Sequence, residues 1–223
     1  MATDPVSSTL PAFLFDLDGT LIDSVYQHVL AWREALEHSG TELSVWRIHR
    51  RIGMSGGLLV NALLRETGGG LGTAEAERLQ TLHAEAFERR FASRVRPLPG
   101  TTDLLRVLAE AGVPHAIATS GRPETARGSL AMLGGAVPVI TRDQVRRAKP
   151  DPALFLAAAE RLGISIHDCV VVGDSVWDLS PLAAPAPSPS ACSPAVTARK
   201  SWSARAPIAS IRTRAISSTI STK

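Results

Sequence analysis

Apolar and polar positions along this chain follow two different periods, and the changes of period divide it into elements. The run Ala12-Phe13-Leu14-Phe15, bounded by Pro11 and Asp16, is short, apolar and uninterrupted, as expected of a strand buried on both faces. Ser24 then stands where a helix cap would, ahead of a helical pattern to about His38. Val25, His28, Val29, Trp32 and Leu36 fall on or near one face of it, and Gly40 ends it. From Leu43 to about Arg94 only helical patterns occur, with breaks expected at Gly53-Met54-Ser55-Gly56-Gly57 and at Gly68-Gly69-Gly70.

Pro97-Leu98-Pro99-Gly100 marks a return to strands. Thr101 opens a helix to about Ala111, His115 to Thr119 reads as a second strand, and Ser120-Gly121-Arg122-Pro123 as a loop before a helix to Leu133. Val137 to Ile140 reads as a third strand, Pro152 to Leu162 as a helix, and Cys169 to Val172 as a fourth strand ending in Gly173-Asp174. Strands alternating with helices predict an α/β fold whose parallel sheet is covered on both faces. Such sheets gather ligands at the carboxyl ends of their strands. Asp16, Thr119, Lys149 and Asp174 all fall there.

Composition narrows the partners. A length of 223 residues suits one large domain or a domain with an insertion. No apolar run reaches membrane-spanning length, and Met1 to Pro11 lack a basic segment followed by an apolar one, so a cytoplasmic protein without a membrane partner is expected. Cys169 and Cys192 are too few and too distant for a disulfide framework or a zinc site. The net charge of +3 is unevenly spread. Residues 1–179 carry 18 basic and 21 acidic side chains, a net charge of −3, so the excess of positive charge lies in the tail. That tail has one aromatic residue, Trp202, and no helical periodicity, so nucleic acid is not an expected partner. Before the tail there are 17 arginines and one lysine, Lys149 in Ala148-Lys149-Pro150-Asp151-Pro152. A compact ammonium does what a planar guanidinium does not, which marks Lys149 as part of a site.

The chemistry follows from Asp16-Leu17-Asp18-Gly19-Thr20, directly after the first strand. Two acids this close repel unless a cation lies between them, and a hard, oxygen-loving metal such as Mg²⁺ fits. A calcium loop would need further acids at fixed offsets and a closing Glu, which Asp23 does not supply. Phosphoryl transfer needs a nucleophile, a metal, donors for the phosphate oxygens and an acid for the leaving group. Asp16 can attack phosphorus, and Asp18 can protonate the departing alkoxide and later deprotonate a water. Asp174 would join Asp16 on the metal, while Thr119 offers a hydroxyl and Lys149 a cation.

The order and spacing of DLDGT, ATSG, AKPDP and VVGDSVWD, over residues 12–179, resemble the haloacid dehalogenase superfamily of phosphohydrolases, in its phosphoglycolate phosphatase and beta-phosphoglucomutase-like branch. The resemblance implies a Rossmann-like core with an all-helical cap inserted after the first strand. Residues 12–22 and 96–179 would then form the core and residues 23–95 the cap. It further implies an aspartyl-phosphate at Asp16, with Mg²⁺ on Asp16, Asp174 and the Asp18 carbonyl, and Asp178 as a supporting carboxylate. Around the substrate it places Ser120 and Gly121, with His28, Gly53, Ser55 and Arg122 from the cap side and the Thr119 loop. True dehalogenases lack the second motif acid, and phosphonatases use a cap lysine that this chain does not have. Sugar phosphomutases are the rival, since Ser24 and His28 sit where their hinge residues lie. Those enzymes flank the Gly-x-Ser of the cap loop with basic residues, whereas Gly53-Met54-Ser55 is flanked by Ile52 and Gly56. A phosphatase for a small phosphorylated metabolite is the expected activity, with the mutase as alternative. Nothing in the sequence indicates an oligomeric state. Several residues have plainer readings: His28 as a packed core histidine, Arg50 and Arg51 as a solvated helix face, Arg122 as surface, Trp177 as packing, and Met54 and Met132 as gap-fillers.

After Leu179 the composition changes. The last forty-four residues, 180–223, contain no Gly, Asp, Glu, Asn, Gln or His, and Ala, Ser and Pro dominate. A low-complexity basic tail is one reading. A shifted reading frame is another. Residues 196–202 can be encoded by bases that, read one position earlier after a G, spell Gly-Tyr-Gly-Gln-Glu-Glu-Leu. A frame shifted near codon 179, in the gene or in its sequencing, is therefore expected, leaving a core without its last elements and, as the further alternative, an inactive chain. Resequencing the coding DNA should show a single-base change near codon 179; an intact gene in several independent reads would rule out a sequencing error.

Overall fold

The computed structural model describes residues 10–66, 72–147 and 149–179; the tail from Ser180 on and the Gly68-Gly69-Gly70 break lie outside them. Four parallel strands form the main sheet: β1 (Ala12–Phe15), β4 (His115–Ala118), β5 (Val139–Ile140) and β6 (Cys169–Val172), in the order β5-β4-β1-β6. Two short strands between them in sequence, β2 (Ile22–Asp23) and β3 (Arg96–Pro97), pair antiparallel. In the main sheet Phe15 of β1 lies opposite Ile117 on one side and Val172 on the other. This register brings Asp16, Thr119 and Asp174 to one edge.

Alternation along β1 sends its side chains to two different cores. Leu14 packs with Ala116, Leu154, Phe155 and Ala158 under α7 (Ala153–Leu162). Phe15 faces the other way, with Leu105 of α5 (Thr101–Glu110), Ala126 of α6 (Pro123–Leu133) and Ile117. Between β2 and β3 the chain forms α1 (Val25–His38), α2 (Val45–His49), α3 (Gly56–Glu66) and α4 (Thr73–Arg90). These helices share a third core of Val29, Trp32, Leu36, Ile48, Leu63 and Leu79. The β2–β3 pair joins the two ends of this helical stretch. A last helix, α8 (Val176–Leu179), follows β6.

Several expectations change in detail. The third strand is Val139–Ile140 rather than Val137–Ile140, because Pro138 has no N–H for the ladder; only its carbonyl pairs, accepting from Ile117 N at 2.9 Å. Gly56 and Gly57 begin α3 instead of breaking a helix. Ser24 makes no capping hydrogen bond: its hydroxyl donates to Asp18 Oδ1 at 2.6 Å, a charged acceptor within its reach. Met132 is 37% exposed and fills no gap. Among the described residues no helix is long and apolar enough to cross a membrane.

Leu14→Ala, at the fully buried centre of β1, should cost ~2–5 kcal/mol of stability. Val170→Thr, at a 40% exposed position of β6, should change it by less than ~1 kcal/mol. Urea unfolding of the two variants checks the pair.

Candidate active site

The carboxyl edge of the sheet collects its charges by register. Asp16 continues β1, and its N–H donates to the Val172 carbonyl of β6 at 2.9 Å, which ties the two strand ends together. Gly19 turns the chain at φ +88°, where a side chain would be strained, and a β-carbon there would collide with the Asp174 carboxylate. The backbone can approach the acids because this residue is glycine.

Lys149, reached after β5, is 1% exposed and lies among acids. Its ammonium pairs with Asp16 Oδ1 and, at 2.7 Å, with Asp178 Oδ1, and sits 5.2 Å from the centre of the Phe155 ring. With two of its three N–H groups directed at these carboxylates, Nζ keeps one for a further partner. Burial alone would pull the lysine pKa down; Asp16 and Asp178 outweigh it and hold the group above the ordinary lysine value.

Three carboxylates, those of Asp16, Asp174 and Asp178, have oxygens all within 4.8 Å of one another. Burial raises the Asp16 pKa, Lys149 offsets only part of that, and Asp178 and Asp174 push it further up. Burial and then the Asp178 charge push Asp174 up to about 6. Thr20 donates to Asp174 Oδ1 at 3.3 Å, and the Ser175 N–H to Asp178 Oδ2 at 2.9 Å, while Asp178 Oδ1 faces the Lys149 ammonium. Three carboxylates around one ammonium leave two negative charges uncompensated. An all-oxygen set in which Asp16 and Asp174 have raised pKa values fits a hard divalent cation.

Asp18 stands apart from this cluster. The sequence argument paired its carboxylate with Asp16 around a cation, and the structure separates them. Its Oδ1 accepts from Ser24 Oγ at 2.6 Å and lies 3.3 Å from His28 Nε2. Burial would raise its pKa, but His28 and the two hydrogen bonds prevail and hold it below the ordinary value. His28 is partly buried, stacked on Phe87 at 4.1 Å. It is a packed histidine, as the plainer reading expected, and also a partner of Asp18.

The remaining candidates line the approach. Thr119 is buried and its Oγ1 accepts from the Gly121 N–H at 2.9 Å. A loop of the helical stretch meets the sheet edge at three points: Ser120 Oγ donates to the Gly53 carbonyl at 3.3 Å, Ser175 Oγ to the Ile52 carbonyl at 3.4 Å, and the Ser55 N–H to the Lys149 carbonyl at 3.3 Å. Arg122 is exposed and donates to Gln80 Oε1 at 3.4 Å. A cleft of about 570 Å³ lies beside Ser55, lined by Asn61, Glu77, Gln80, Arg122 and Arg142 among others. Arg50 is also exposed, 5.7 Å from the Trp46 ring centre. Sequence reasoning gave Asp178 only a supporting place, yet it is a full member of the ion cluster. The signal was its position four residues after Asp174. Asn61, Gln80 and His83 carried no motif.

The model of the haloacid dehalogenase-like hydrolases matches residues 10–184. Hexitol phosphatase A of Escherichia coli is 36% identical over 169 residues, 73% of this chain and 74% of that protein. A beta-phosphoglucomutase of Bacillus subtilis is 28% identical over 77% of this chain and 78% of its own length. The crystal structure of a hydrolase from Pseudomonas syringae superposes with a TM-score of 0.73 at 48% identity, covering 76% of this chain and 78% of the other.

A divalent cation should raise the melting temperature, and more at pH 7.5 than at pH 5. The folded-state pKa of Asp174, about 6 against an ordinary 3.8, means that its contribution to stability is full below pH ~4 and lost as pH rises through 6. Above that range the cation offsets an ionised cluster; below it, protons compete. At a hundredfold excess over Kd the gain is ~2.7 kcal/mol. Thermal melts with cation and with chelator, at both pH values, check this, and Asp174→Asn should remove most of the response.

Proposed function

The chain belongs to the haloacid dehalogenase-like hydrolase family, and from that premise we propose that it is a Mg²⁺-dependent phosphatase acting on a small phosphomonoester through an aspartyl-phosphate at Asp16. The observation that carries this reading is the different settings of the two motif carboxylates. Asp16 shares Lys149 with the acid cluster, and Asp18 is held by Ser24 and His28.

Asp16 attacks phosphorus, and the bond from phosphorus to the alcohol oxygen breaks as the Asp16–phosphorus bond forms. The leaving oxygen takes a proton from Asp18. A water then attacks the aspartyl-phosphate, gives its proton to Asp18, and releases inorganic phosphate with Asp16 restored. Ser24 and His28 both contact Oδ1 of Asp18, so Oδ2 is the oxygen left to carry the travelling proton. An incoming phosphate dianion raises the Asp18 pKa, which suits the first step; once its proton has gone to the alcohol, Ser24 and His28 stabilise the carboxylate that serves as base in the second. The remaining N–H of Lys149 and the hydroxyls of Thr119 and Ser120 donate to the phosphate oxygens, with Gly121 setting the loop. Asp16, Asp174 and the Asp18 carbonyl, with Asp178 in support, would hold Mg²⁺, which neutralises phosphate charge when bound.

The helices between β2 and β3 act as the cap, with Gly53 and Ser55 at the contact and Arg122 across the cleft. That cleft sets Glu77, Glu124 and Asp143 against Arg122 and Arg142. Its charge disfavours a second phosphate and suits a neutral, hydroxyl-bearing body, which places the hydrolase ahead of the mutase. The similarity to a hexitol phosphatase supports the same choice. The family match ends at residue 184, close to the change in composition after Leu179, in keeping with a frame shifted near codon 179.

Phosphate release from hexitol phosphates, other small alkyl phosphates and p-nitrophenyl phosphate should require Mg²⁺. It should fall at least ~10³-fold in Asp16→Asn. The chain as written is assayed beside a version with the frame restored at codon 179. Unchanged release by Asp16→Asn would refute the nucleophile, and isomerised product with little free phosphate would favour the mutase.

A further inference from the structure

Four rings from two helices interlock beside Asp18. His28 and Trp32 stand four residues apart on α1, and His83 and Phe87 four apart on α4, so each pair shares a helix face. His28 stacks on Phe87 at 4.1 Å with 3° between the planes, and His83 on Trp32 at 4.1 Å with 14°. His28 Nδ1 lies 3.1 Å from His83 Nε2, while its Nε2 lies 3.3 Å from Asp18 Oδ1. A continuous line of polar atoms thus runs from a buried histidine of α4 to the motif carboxylate.

We propose that His83 is a positioning residue for phosphoryl transfer: through His28 it fixes which nitrogen of that imidazole carries the proton facing Asp18. The proposal rests on the phosphatase reading above. With its proton on Nε2, His83 donates to His28 Nδ1, which must then be the unprotonated nitrogen. The proton of a neutral His28 consequently sits on Nε2 and donates to Asp18 Oδ1. With Oδ1 occupied by His28 and Ser24, the mobile proton of Asp18 stays on Oδ2, free for the leaving alcohol. In the other tautomer, Nε2 would present a lone pair to Oδ1. It would then capture the proton of Asp18 in a hydrogen bond pointing away from the substrate. Burial, which holds the His83 pKa well below the ordinary histidine value, keeps that ring neutral and able to act through a single N–H. Apolar packing alone needs no nitrogen at this position; a phenyl ring would stack on Trp32 equally well.

The test separates aim from architecture. His83→Phe keeps the stack and removes the donor, and His83→Gln keeps a donor. Because kcat/KM reports the steps through departure of the alcohol, His83→Phe should lower it about tenfold or more for the fastest alkyl phosphate of the panel, whose leaving group needs a proton. For p-nitrophenyl phosphate, whose leaving group does not, it should fall less than ~3-fold. His83→Gln should recover most of the loss. Equal losses on both substrates, no loss on either, or a Gln variant no better than Phe would overturn the proposal. ¹⁵N NMR of the unmodified protein gives a second readout that needs no variant to fold and no turnover. It should show His28 protonated on Nε2 and bare on Nδ1; a proton on Nδ1 overturns the proposal. Failure of the phosphatase reading itself would appear separately, as absence of phosphate release by the unmodified chain.

Discussion

The site depends on one buried ammonium set among three carboxylates. Charges this deeply buried persist only when they are paired, and Lys149 touches two of the three acids while the third repels its neighbours. Each element of the sheet edge contributes a part. β1 ends at Asp16, β6 leads to Asp174, α8 carries Asp178 and the segment after β5 carries Lys149. The hydrogen bond from Asp16 to Val172 locks two of those ends in register. Gly173 serves the same end as Gly19, since a side chain on it would run into the Asp178 carboxylate. The charge left uncompensated is a binding energy for a cation held in reserve by the fold.

Two acids separated by one residue have entirely different surroundings. Asp16 belongs to the sheet and takes its partners from strand ends. Asp18 takes Ser24 and His28 from the start of the helical stretch. The inserted helices therefore do more than cover the sheet edge. They set the hydrogen bonding of one of the two motif carboxylates, and their loop at Gly53 reaches Ser120. Movement of α1 against α4 would disturb the ring stack, His28 and then Asp18, in that order.

The α/β order of elements was readable because apolar runs of strand length alternate with helical periods, and the chemistry was readable because acids and a lone lysine fall just after those runs. Cys169–Val172 and the helix to Leu133 end where turn residues predict. The β2–β3 pair was not readable. Two residues paired across more than seventy others leave no periodic trace. Nor was the separation of Asp18 from Asp16, which depends on where Ser24 directs its hydroxyl once a buried carboxylate is near. Ser24 was read as a helix cap, and its hydroxyl instead goes to Asp18. His83 looks like any helical position in the sequence, because what distinguishes it is an atom supplied by His28, fifty-five residues earlier. The lysine, by contrast, stood out through the arginine-rich chain around it.

That same lysine has a practical side. It is the only lysine in residues 1–179, and 1% of it reaches solvent. The other two, Lys200 and Lys223, belong to the tail. Amine-directed chemistry, such as acylation, cross-linking or coupling to a surface, therefore finds no side-chain handle on the folded body.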